Sequence, residues 1–152
     1  MVKGKYLYYG DDLKDAFNIR KKVFHDENNI EEELLFDEYD NESIHAIVYN
    51  ENQKVVASGR IMFDGENYKL GRIAVLKEER GKMYGDFLVR MLVDKAFITG
   101  AEQVIVSAIE NAIPFYKKIG FIESGDKYIE EDTPHQLMIL KQNDLCKECN
   151  KH

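Results

Sequence analysis

Apolar positions recur along the chain with two different periods, and their order lays out the elements. "GKYLYY" (4–9) reads as a first strand. After Asp12, an N-cap candidate, Leu13, Ala16, Phe17, Arg20, Val23 and Phe24 fall on one face of a helix. "IHAIVYN" (44–50) and "KVVASGRIMF" (54–63) are strands joined by a short polar turn, which predicts a hairpin. "DGEN" (64–67) turns the chain into another strand, "YKLGRIAVL" (68–76). Phe87, Leu88, Met91, Leu92, Lys95 and Ala96 then mark an amphipathic helix that Gly100 stops. "QVIVSAI" (103–109) follows as a nearly continuous apolar strand. Two apolar strands flanking one helix predict a βαβ unit whose parallel strands are covered on both faces. "NAIPFYKKIG" (111–120) reads as a short helix, capped by Asn111, with Pro114 in its first turn and Gly120 at its end. "FIES" (121–124) and "HQLMILK" (135–141) close as an antiparallel strand pair.

Composition narrows the class. The 152 residues are 44% hydrophobic and 32% charged, an ordinary globular balance, and predict one domain over 1–152 with a core at about 5–141 and a tail at 142–152. No apolar stretch approaches the ~18–20 residues of a membrane span, and "MVKGKYLYYG" lacks a signal-peptide apolar region, so a cytoplasmic protein without a membrane partner is expected. The net charge of -7 argues against nucleic acid as a partner and agrees with a cationic small molecule or peptide. Residues 26–42 hold nine acidic side chains and no lysine or arginine. They either draw a cationic amine or form a solvated acidic face; Leu34, Leu35, Phe36 and Tyr39 among them predict that part packs down or covers a site. Cys146 and Cys149 form a CxxC with His152 close behind, short of the four ligands a zinc site needs, so reduced, solvent-facing thiols are the plainer reading and no metal is expected.

"EERGKMYGDFLV" (78–89) carries the chemistry that composition does not explain. Arg80, Gly81, Lys82 and Gly85 lie between a buried strand and a helix, where unpaired amides and the positive end of the helix dipole suit a phosphate. A surface turn carries the same letters equally well. "GKM" has no serine or threonine to hold magnesium, which excludes a Walker loop, and the glycine spacing is not that of a dinucleotide-binding turn.

The order strand, RGxxxG loop, helix, strand, then "AIPFYKKIGF" resembles the GNAT superfamily of acyl-CoA-dependent N-acyltransferases. Arg80 and Gly85 match the ends of that family's pyrophosphate loop, with Met83 where its central glycine stands. Ala112, Phe115, Tyr116, Lys118, Gly120 and Phe121 meet its second signature, and Ile109 replaces a usual asparagine. "IRKKVFHDENNI" (19–30), "FDEYD" (36–40), "GRIAVLKEERGK" (71–82) and "EEDTPHQLM" (130–138) look most like the ElaA-like branch. The resemblance implies an α/β (α+β) fold, a mixed six- or seven-stranded sheet flanked by helices, in which strands 68–76 and 103–109 are a splayed parallel pair. It implies transfer of an acetyl or short acyl group from acetyl-CoA to a primary amine of a small molecule or peptide. The alternative is a non-catalytic acyl-CoA-binding or regulatory domain on the same fold. The implied coenzyme contacts are the backbone of Ile73, Ala74 and Val75, the loop Arg80, Gly81, Lys82, Met83, Tyr84, Gly85 and Asp86, and Ile109, Ala112 and Phe115. Tyr116 is the implied proton donor. His45 and His135 are candidates for the base or the substrate site, each equally readable as structural. A homodimer is compatible with all of this.

Overall fold

Residues 2–145 are described by the computed structural model; Cys146, Cys149 and His152 lie outside them. Strand β1 (Lys3–Leu7) leads to helix α1 (Lys14–Arg20), which runs on as a π-helical segment, Lys21–Glu27. Strands β2 (Ile44–Tyr49) and β3 (Val55–Phe63) form the expected hairpin, and β4 (Tyr68–Val75) pairs with β3 in turn. Helix α2 (Tyr84–Thr99) crosses to β5 (Gln103–Ile109), and α3 (Ile113–Ile119) follows. Strands β6 (Ile122–Glu123), β7 (Tyr128–Glu130) and β8 (Thr133–Lys141) end the fold. All eight share one sheet in the order β1-β2-β3-β4-β5-β8-β6, with β7 paired to β8 off that path. The mixed sheet and its parallel pair are as expected; eight strands rather than six or seven arise because β7, three exposed residues, is too short to show an alternating pattern.

Cross-strand partners share a face. Ile47 opposite Ser58 and His45 opposite Arg60 belong to the face covered by α1, whose Ala16, Leu13 and Phe17 pack with Leu7 and Ile47. Ala46 opposite Gly59 and Val48 opposite Ala57 belong to the face under α2. A Cβ on Gly59 would stand 2.6 Å from Ile73 Cδ1 and 3.0 Å from Leu92 Cδ1, so glycine permits α2 to lie this close. The buried stripe of α2 is Tyr84, Leu88, Val89, Leu92, Val93 and Ala96. Burial of each valine or leucine stabilises by roughly 1.5–3 kcal/mol. This stripe is turned towards Val89 and Val93 relative to the expected face. Phe87 and Met91 instead sit at the margin over Gly4 of β1, and Lys95 stays outside, its ammonium 4.7 Å and 5.3 Å from the Tyr6 and Tyr8 rings.

Both expected N-caps are displaced. The α1 cap is Leu13; Asp12 Oδ1 accepts from the Lys14 amide (2.9 Å), a turn bond two residues on. A 3-10 turn (Glu110–Ala112) enters α3, so Ala112 takes the cap position and Asn111 is held inside the turn. Between the π-helical segment and β2 the chain makes two further 3-10 turns, Glu32–Leu34 and Glu38–Asn41, the second closed by a reciprocal capping box between Asp37 and Asp40.

Candidate active site

β4 and β5 pair only where Tyr68–Leu70 face Val104–Val106. Beyond that, β4 stays with β3 and β5 with β8, so the two strands part towards their C-terminal ends. The parting is sharpened by a bulge: Arg60 faces Gly71 and Ser58 faces Ala74, which leaves Arg72 and Ile73 both opposite Gly59. A cleft of about 1430 Å³ runs through this opening. Ile73, Ala74 and Val75 line it, and their strand has no partner on the β5 side among the described residues. Ile109, Ala112, Phe115 and Asn111 line it from across the gap.

One end of the cleft is the loop before α2. Met83 occupies the helix N-cap in the left-handed conformation (φ 71°) and offers no side-chain cap. Phe87 is the first amide to bond back along the helix, to the Met83 carbonyl (3.1 Å), so the amides of Tyr84 and Gly85 precede the first intrahelical bond. Gly81 is also left-handed (φ 81°), a conformation suited to glycine and strained at Met83. Arg80, Gly81, Met83, Tyr84, Gly85 and Asp86 all line the cleft; Lys82 does not, and pairs with Glu79 at 3.1 Å. Arg80 is engaged already. Its two terminal nitrogens each lie 2.7 Å from a Glu27 oxygen, and its Nε donates to the Val75 carbonyl (3.1 Å). Glu27 belongs to the π-helical segment, so this pair joins the two walls of the cleft.

Tyr116 lines the cleft from α3, its ring edge-on to Phe115 (5.0 Å) and Phe121 (5.4 Å). Burial pushes its phenol well above the usual 10. An unperturbed phenol lies near a thiol in acidity. Here the hydroxyl is a much weaker acid, which keeps it protonated through the neutral range and available as a donor.

The two histidines separate. His45 is fully buried and absent from the cleft lining. Its Nε2–H donates to the Asp40 carbonyl (2.8 Å), which leaves Nδ1 to face Arg20 Nη2 at 3.4 Å. Burial foremost lowers its pKa and holds it neutral. This corrects the reading of His45 as base or substrate group: it is a core histidine. His135, opposite Ile109, does line the cleft. Its Nδ1–H donates to the Thr133 carbonyl (2.8 Å), which leaves Nε2 directed away, 3.6 Å from Glu130 Oε2. Ser107 donates to the same Glu130 oxygen (2.8 Å) and hydrogen-bonds the Tyr128 hydroxyl, whose ring stacks on His135. Sequence reading misses this cluster because Tyr128 and Glu130 sit on β7, the strand it does not find.

A charged floor is the second feature without a sequence signal beyond two arginines in otherwise apolar strands. Arg60 Nη1 reaches Asp37 Oδ1 (2.6 Å) and Asp40 Oδ1 (2.9 Å), and its Nη2 reaches Asp37 Oδ2 (2.8 Å). Arg20 Nη2 lies 2.8 Å from Asp40 Oδ1, and Arg72 Nη2 lies 3.2 Å from Asp37 Oδ2. Burial raises the Asp40 carboxyl, but the Arg20 and Asp37-amide hydrogen bonds and the two arginine charges outweigh it and bring it to about 2. The acidic run at 26–42 therefore supplies partners for the chain's own cations: Glu27 to Arg80, Glu32 to Lys21 (3.3 Å), Asp37 and Asp40 to the arginines. Leu35 within it is buried, while Leu34 and Tyr39 border the cleft as the covering segment anticipates.

A family model described as an acetyltransferase (GNAT) domain matches residues 13–142. The uncharacterised N-acetyltransferase YjcF of Bacillus subtilis (strain 168) is 38% identical over 130 residues, 85% of this chain and 92% of that one. Among solved structures, Escherichia coli ElaA gives a TM-score of 0.80 at 24% identity, covering 91% of this chain and 99% of its own. A GNAT family acetyltransferase from Elizabethkingia anophelis, solved with acetyl-CoA bound, gives 0.70 at 14% identity, covering 92% and 97%. The two structural likenesses establish the fold; the family match and the relative's identity reach further, and by them this chain belongs to the GNAT acetyltransferase family.

Proposed function

We propose that the chain moves an acetyl or other short acyl group from acyl-CoA to a primary amine. One observation carries the reading: a strand pair that parts beside an uncapped helix N-terminus, with a buried tyrosine lining the same cleft. The N-terminal amides of Tyr84 and Gly85 suit the coenzyme pyrophosphate, with Arg80 as the nearby cation. The edge at Ile73, Ala74 and Val75, which pairs with no strand on the β5 side among the described residues, suits the pantetheine arm, and Ile109, Ala112 and Phe115 its opposite side. Acyl-CoA, when bound, supplies the thioester carbonyl. Backbone donors on the β4 edge stabilise the oxygen of that carbonyl as the amine nitrogen bonds to carbon. His135 Nε2 takes the amine proton, and Glu130 stabilises the imidazolium that results. The carbon–sulfur bond then breaks and Tyr116 donates to the departing thiolate.

Tyr116→Phe keeps the ring packing and removes the donor. Turnover is expected to fall by about 10²-fold with acyl-CoA affinity unchanged, checked by steady-state rates and calorimetry. Thermal unfolding serves as the control, since a lost hydrogen bond costs about 1 kcal/mol without catalytic meaning. A folded variant with wild-type turnover returns the tyrosine to a structural role. The second reading, a non-catalytic acyl-CoA-binding or regulatory domain, draws on Arg80 held by Glu27 and on the strained Met83. It requires coenzyme binding with no thiol release.

A further inference from the structure

The face of the sheet opposite α2 holds one more arginine than it has carboxylate partners among the described residues. Among the described residues the only carboxylates paired with Arg20, Arg60 and Arg72 are Asp37 and Asp40, and His45 beside them is neutral, so the cluster keeps one positive charge in excess. That excess falls on Arg72. Arg20 and Arg60 are buried and take the short contacts; Arg72 is 32% exposed and holds Asp37 at 3.2 Å and the Leu35 carbonyl at 3.4 Å. Its remaining nitrogen, Nη1, makes no hydrogen bond or ion pair among the described residues.

Backbone strain is what puts the side chain there. In strict alternation Arg72 would face away from Gly71, on the α2 side with Leu70. Instead its φ of 54° and the β4 bulge turn it to the face of Arg60, so that both arginines grip Asp37. Lys69, on that face opposite Met62, also lines the cleft and forms no salt bridge among the described residues. Across the parted strands the same face presents the opposite sign. Glu130 stands there with His135, whose Nε2 is directed towards it. Within the cleft, Arg72 and Lys69 thus stand on β4, and Glu130 and His135 stand across the parted strands.

We infer that the acyl acceptor is a small amino acid, its carboxylate held by Arg72 with Lys69 and its amine turned towards His135 and Glu130. The inference rests on the acyl-transfer reading and adds a binding site to it. The Leu35–Asp37 segment lies over the Arg72 guanidinium, which favours a compact ligand over a polypeptide. The anion at Arg72 is not the coenzyme pyrophosphate: Val75, the end of β4, is three residues on at roughly 3.3 Å per residue, and the phosphate loop lies beyond it. A guanidinium fork reads a carboxylate in two parallel bonds, whereas lysine offers only a point charge.

The test is calorimetric titration, in the presence of free coenzyme A, with a set of L-amino acids and the carboxamide of each. At least one amino acid is expected to bind ten-fold or more tightly than its amide. Arg72→Ala is expected to abolish that difference and Arg72→Lys to retain part of it, with coenzyme affinity unchanged in both. Should Arg72→Ala fail to fold, the amino acid–amide ratio in the wild type and in Lys69→Ala still decides. Equal binding of acid and amide, or no binding of any amino acid, overturns the inference. Amino acid binding lost in Arg72→Ala without any acyl transfer leaves this site standing and overturns the proposed activity instead.

Discussion

At the scale of single residues, Asp40 and His45 tie folding to proton concentration. The Asp40 carboxyl is brought from 3.8 to about 2 in the fold, so the stability it contributes is present above 3.8 and lost as pH falls through about 2. That contribution is roughly 2 kcal/mol. His45 is lowered, by burial first, from 6.5. The unfolded chain therefore takes up a proton there before the folded chain does, and stability falls as pH drops below 6.5. Urea unfolding is expected to show a stability plateau above neutrality, a decline below pH 6.5, and a steeper loss below 4. A free energy of unfolding that is flat between pH 7 and 3 contradicts the buried network as described. Such a network has no periodic signature: Arg60 and Arg72 read as polar positions in strands, and only the bulge at Arg72 explains why both reach Asp37.

Among elements, the π-helical segment and the phosphate loop are joined by one ion pair. Glu27 is lowered chiefly by its hydrogen bonds with Arg80, so its carboxylate is charged at neutral pH. A coenzyme phosphate approaching the α2 N-terminus competes with Glu27 for the same guanidinium. Glu27→Gln weakens that competitor. Acetyl-CoA affinity, measured by calorimetry, is expected to rise by about two- to five-fold, in keeping with roughly 0.2–1 kcal/mol for a pair this exposed. An unchanged or weaker affinity means Arg80 does not serve the coenzyme. The elements themselves were legible wherever a run was long enough to repeat, as for α2 and β5, or punctuated, as at Gly100 and Gly120. Three features were not. The π-helical turns of 21–27 carry apolar residues that suit an α-helix equally, β7 has three residues, and both N-caps moved because short turns precede the helices. Of the cleft lining, the loop was legible from its cations and glycines before a helix, and Tyr116 from the resemblance of residues 112–121 to a family signature. The Ser107–Tyr128–Glu130–His135 cluster is assembled from three strands and has no such mark.

For the whole molecule, the fold follows from where the sheet cannot close. β5 leaves β4 for β8, α2 covers one face and α1 the other, and the gap connects them. A donor seated at the α2 N-terminus and an acceptor approaching from the Arg72 side would meet in that gap. The central claim is therefore acyl transfer through it, and release of free thiol from acetyl-CoA across a panel of primary amines measures this directly. Thiol release that depends on an added amine, saturates with it, and yields the acetylated amine by mass is the predicted result. Acetyl-CoA that binds to the folded protein yet releases no thiol with any amine, amino acids included, contradicts the account.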